Sequence, residues 1–65
     1  MPVSDLDIQR SANLFWQLHR DEALAKARGM VEQMRAKGDD EGADTWLRII
    51  VAMLALGEGE SAARH

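Results

Sequence analysis

The sequence predicts an all-α fold: a three-helix protomer, a helical hairpin with an N-terminal helix added, that pairs with a second copy in a dimeric helical bundle. Three observations lead there. The single proline stands at position 2, tyrosine is absent, and Ala, Leu, Met, Arg and Gln are abundant, a composition that favours helix over strand. Apolar residues recur at helical spacing in three blocks separated by polar or glycine-containing breaks. The third block, residues 46–56, is apolar around roughly 200° of its circumference when wound as a helix. One neighbouring helix cannot cover that much, and in so small a chain the surplus is most economically covered by another copy.

The first helix is expected over residues 5–19, after an N-terminal extension of residues 1–4. Ser4 is placed to accept from an orphan amide, and Asp5 and Asp7 suit the positive end of the helix dipole, with Asp7 a shorter stand-in for the Glu of a capping box. Ile8, Ser11, Leu14, Phe15 and Leu18 then fall on one side, with Gln9, Arg10, Asn13 and Gln17 opposite. Trp16 lies at the margin of that stripe, as a cover for the core edge or a contact for a partner. His19 to Glu22 break the rhythm, and the acidic pair Asp21 and Glu22 suits the first turn of a new helix.

The second helix is expected over residues 21–37, with a stripe of Ala23, Leu24, Ala27, Met30, Val31 and Met34. Lys37 complements its dipole, and Gly38 supplies the left-handed residue that closes many helices. Asp39 is the expected cap of the third helix, over residues 39–56, with Asp40 and Glu41 in its first turn. Gly42, costly inside a helix, signals close approach of another backbone or tolerance in a first turn. Ala43, Leu47, Ile50 and Leu54 form one seam, taken as internal; Trp46, Ile49, Met53 and Leu56 form a second, taken as spare. Residues 57–65 carry no large apolar side chain and are expected to be a disordered tail.

Sixty-five residues make one domain, and a domain of this size buries only about 60% of the surface its unfolded chain exposes. Small domains add disulfides, a structural metal or oligomerisation. With no cysteine, the first route and every cysteine-type zinc site are closed, which leaves oligomerisation as the expected aid. The net charge of −3 is uneven: residues 1–20 are neutral, 21–38 carry +1 and 39–65 carry −4. That balance argues against a protein whose main work is gripping phosphates. The longest uninterrupted apolar run, residues 49–56, is far short of the about 20 residues a membrane span needs, and the N-terminus lacks the order of a signal peptide. The expected location is therefore cytoplasmic, with no membrane and no nucleic-acid partner.

No catalytic, cofactor-binding or metal-binding motif is present. His19 beside Asp21 and Glu22 is the only histidine–carboxylate grouping, and a histidine at a helix C-terminus is explained by the dipole alone. Residues 39–44 are acidic and contain glycine, yet their spacing does not match a calcium loop, and helix capping accounts for them. Lys26, Arg28, Arg35 and Lys37 give the second helix a basic face, with Glu32 four residues after Arg28 for internal pairing. The methionines at positions 30, 34 and 53 read as gap-filling core residues. Aromatic anchors dominate interface energetics, so Trp16 and Trp46 join Ile49, Met53 and Leu56 as the expected dimer or partner interface.

The blocks over residues 7–14 (DIQRSANL) and 36–50 (AKGDDEGADTWLRII) resemble a family of short, uncharacterised helical proteins found mainly in proteobacteria, over most of residues 7–56. Those relatives often carry glycine after the histidine of the first turn, where this chain has Arg20. The resemblance implies a bacterial origin and brings no activity with it. Residues 38–50 also look faintly like the turn of a tetratricopeptide helix pair, in a single unit without repeats. The function expected is that of a non-enzymatic, cytoplasmic protein–protein interaction module acting as a homodimer. A helix-turn-helix-like nucleic-acid-binding regulator is one alternative, although the third helix exposes Asp44, Thr45 and Arg48 instead of a basic, amide-rich face. An enzyme subunit with a site completed at the dimer interface by His19 and nearby carboxylates is the other.

Overall fold

The structure is a computed structural model that describes residues 4–63, with side chains through Glu58. It is 93% helical, and the described residues contain no strand. Helix α1 spans Asp5–His19, a 3-10 turn spans Arg20–Glu22, α2 spans Ala23–Ala36 and α3 spans Asp40–Ala63. Residues 5–36 are helical throughout, so the expected three separate helices become two helical segments, the first bent at the 3-10 turn. Short polar breaks without proline permit this, because a 3-10 turn keeps amides bonded where a loop would release them.

Local chemistry sets the ends. The Asp7 amide donates to Ser4 Oγ at 3.2 Å, and the Gly42 amide donates to Asp39 Oδ1 at 2.9 Å, so both expected caps form. Gly38 stands at φ +77°, where its amide donates to the Arg35 carbonyl and the Asp39 amide donates to that of Met34. These are the paired bonds of a Schellman closure, and they end α2 at Ala36 with Lys37 as its cap. The tight turn lays α3 back against α2.

At Gly42 the close approach is by side chains. A Cβ there would stand 2.5 Å from Asp39 Oδ2 and 2.9 Å from Met34 Sδ, so the glycine leaves room for the capping carboxylate and the last core methionine of α2. At the other bend, Arg20 closes α1 with φ +46° and ψ −113°, the only positive φ outside glycine among the described residues. A side chain at such an angle costs of order 1–3 kcal/mol.

Helix α3 passes the stop expected at residue 56 and continues to Ala63, so the expected tail is helical through that residue; residues 64–65 lie outside the described ones. Each further residue adds a backbone hydrogen bond, and Ala and Glu are strong helix formers. A Cβ at Gly57 would stand 3.5 Å from the Trp16 ring, so this turn of α3 passes close to α1.

The core lies where α1 and α2 meet α3. Its buried members are Ile8 and Ala12 of α1, Ala23, Ala27 and Val31 of α2, and Ala43, Ile49 and Met53 of α3. One flank of α1 (Ser11, Leu14, Phe15, Leu18) borders Trp46 and Ile49, while Gln9, Ala12 and Asn13 border Ala52, Ala55 and Leu56. Helix α1 therefore lies across α3, where α2 runs back along it. An ion pair, Arg48 Nη2 to Asp5 Oδ1 at 2.6 Å, ties the start of α1 to the middle of α3. It is largely exposed and contributes at most about 1 kcal/mol.

Two comparisons test these local arguments. Gly29 sits inside α2 with open space where a Cβ would point, so Gly29→Ala raises stability by about 1 kcal/mol, whereas Gly42→Ala lowers it by about 1 kcal/mol through loss of the Asp39 cap; urea denaturation measures both. Arg20→Gly relieves the positive φ and raises stability by about 1 kcal/mol net of the added freedom of the unfolded chain, read from the same titration.

Candidate functional site

The five residues expected at an interface divide between core and margin. Met53 is fully buried and Ile49 is 5% exposed, both within the single chain. Trp46, Trp16 and Leu56 are half-buried. Trp46 meets the Phe15 ring edge-on, with centroids 5.4 Å apart, and Trp16 packs against the buried cluster. The seam taken as spare is therefore the one that α1 covers, and Ile49 and Met53 have no surface left for a second chain. Phe15, Ile8 and the close-packing Ala12 bring α1 onto that face.

The seam taken as internal is only half covered. Ala43 is buried and Ile50 half-buried, but Leu47 and Leu54 are exposed. Val51, which belonged to neither seam, is 66% exposed. Residues 47, 51 and 54 follow i, i+4, i+7 spacing and make one stripe along α3. Helix α2 reaches this side with Val31, which lines a groove with Leu47 and Ile50, while Ala23 and Ala27 join the cluster around Ile49 and Met53; Val51 is left open. Arg28 and Arg35 of α2 flank the groove beside Leu47 and Ile50, a depression of about 340 Å³ that also takes in Glu32.

A second exposed apolar group lies on α1. Leu14 and Leu18 are 60% and 68% exposed, and with Ser11, Phe15, Trp46 and Ile49 they line a depression of about 240 Å³ between α1 and α3. Both leucines had been placed in the core stripe with Ser11. The structure turns α1 so that Ala12 replaces Ser11 at the centre of the contact, which moves Leu14 and Leu18 to the edge. A signal was present: a stripe with serine at its middle and alanine beside it fits close packing better when centred on the alanine.

Polar candidates stay dispersed. His19 packs against Phe15 four residues earlier, with ring centroids 4.5 Å apart, as an extension of the aromatic cluster. Among the described residues no group of three histidine or carboxylate side chains converges to hold a metal, and no buried side-chain polar atom lacks a hydrogen-bond partner. No helix of the described residues is long and apolar enough to cross a membrane. Exposed apolar side chains lie beside charged ones, with Arg28, Glu32 and Arg35 next to Leu47 and Ile50.

No family model, curated protein or solved structure matches this chain.

Met53→Ala is expected to lower protomer stability by about 2–4 kcal/mol, because it empties a fully enclosed site; thermal and urea unfolding should show the loss irrespective of protein concentration.

Proposed function

We propose that this chain is a small, non-enzymatic protein–protein interaction module of the cytoplasm that acts as a homodimer, in the proteobacterial group its sequence resembles. The observation that carries the reading is the imbalance between core and surface. Among the described residues, four of the eight buried core residues are alanines and only one large side chain, Met53, is fully enclosed, while six large hydrophobic side chains are exposed. The exposed ones stand on two helices, α1 and α3.

Size supports this reading. The accessible surface is 4931 Å², against about 4,100 Å² for a folded monomer of this mass. The Cα radius of gyration is 12.3 Å, against about 11 Å for a compact domain of this length. Both differences go with an elongated protomer whose α3 runs for 24 residues, a shape that leaves apolar side chains outside. Contiguous apolar surface on a small protein is a mark of contact with another chain.

Light scattering over a series from micromolar to millimolar tests the proposal. A mass of twice 7.2 kDa that persists on dilution is the expected outcome; a mass of 7.2 kDa across the whole series overturns the homodimer.

A further inference from the structure

We infer that α1 is an exchangeable arm: in the homodimer each chain straightens at Arg20 and lays its α1 on the Ile49 and Met53 face of its partner's α3. This rests on the homodimer reading above and adds the means of pairing.

Three observations meet at the bend between α1 and α2. The first is its sequence. Residues 5–28 contain neither glycine nor proline, yet the chain turns among them through Arg20 at φ +46°, a conformation that L side chains rarely adopt. The turn between α2 and α3, by contrast, places a glycine, Gly38, at its positive φ. The second is a missing cap. Ser4 and Asp39 cap α1 and α3 with their side chains, whereas neither His19 before the 3-10 turn nor Glu22 before α2 does so. A helix that continues from the one before it requires no cap, because its first amides bond to the preceding turn.

The third is register. Ile8, Ala12 and Phe15 of α1 and Ala23, Ala27 and Val31 of α2 all pack inward, and His19, against Phe15, stands between the two sets. Each follows the one before by three or four residues, with no slip at the bend. Wound without interruption, these side chains fall within about 160° on one side of a single helix. Straightened at Arg20, residues 5–36 form that helix, about 48 Å long, with one continuous contact face.

A chain that opens alone loses its core. Opening uncovers Ile8 and Ala12 on one side and Ile49 and Met53 on the other, all buried in the closed chain. The face that fits each is carried by a second opened copy, so two chains restore both contacts reciprocally, together with the ion pair of Arg48 to Asp5. The exchanged pair differs from two closed chains at the bends, where two strained residues relax into helix. A short hinge under strain favours such exchange.

The sequence contains no cysteine, so introduced ones report unambiguously. Gln9 and Ala55 are exposed and border one depression between α1 and α3. Gln9→Cys and Ala55→Cys chains are checked for helical circular dichroism, unfolded together, refolded at a concentration where the wild-type chain is dimeric by mass, and treated with a short bismaleimide. Exchange predicts covalent dimer in the mixture and none with either chain alone; the double variant links chain to chain. A double variant that links only within single chains, beside a wild-type chain dimeric by mass, overturns the exchange and leaves the homodimer standing. A wild-type chain monomeric by mass at every concentration removes both. The hinge has its own readout. Arg20→Gly and Arg20→Ala both remove the side chain, but glycine accepts the positive φ and weakens helix, while alanine does the reverse. The dimer dissociation constant of Arg20→Gly is expected about tenfold or more above that of Arg20→Ala. Equal constants overturn the hinge at Arg20.

Discussion

The structure depends on the burial of one face of α3 beneath α1. Met53 and Ile49 are enclosed there by Ile8, Ala12, Phe15 and Trp16, with Ala23 and Ala27 of α2 completing the cluster. Alanine at the contact points lets backbones approach closely, which secures dispersion contacts without large side chains. It also limits the apolar volume removed from water. A core made this way orders three helical stretches but leaves little reserve for a domain of this size.

That constraint explains where the leftover apolar surface falls. Helix α1 lies across α3, so it covers the Trp46, Ile49 and Met53 side on both of its own flanks and cannot also shield the far side. Helix α2 runs back from the Gly38 turn, and its Ala23 and Ala27 join the cluster around Ile49 and Met53, with Ile50 at its edge. The Leu47, Val51 and Leu54 stripe is beyond the reach of both. On α1, the same crossing turns Leu14 and Leu18 outward. Surface exposure of these side chains is thus a geometric result of how two helices share a third.

Charge is arranged to match. Carboxylates gather at helix starts, where Ser4 and Asp39 cap and Asp5, Asp7, Asp40 and Glu41 face the positive ends of the dipoles. Arg48 crosses to Asp5 and pins the start of α1. Arg28 and Arg35 stand beside Leu47 and Ile50, at the margin of the open stripe. Nothing comparable surrounds His19, whose ring is absorbed into packing with Phe15.

By itself the sequence determined the all-helical class, the caps at Ser4 and Asp39, the closure at Gly38 and the core stripe of α2. These rest on contacts between residues a few positions apart, so local spacing suffices to read them. It also determined that α3 carries more apolar circumference than one neighbour can hide. Only the tertiary structure decided which side stays open, because periodicity defines faces but not the helix that will cover each. It exchanged the roles of the two α3 seams, enclosing Ile49 and Met53 and exposing Leu47 and Leu54. The crossing of α1 was not legible because it depends on Ala12, whose small side chain carries a weak hydrophobic signal and yet permits the closest approach. The helical passage through residues 20–22 and the extension of α3 past Leu56 were decided the same way, by backbone hydrogen bonds that residue preferences alone do not encode.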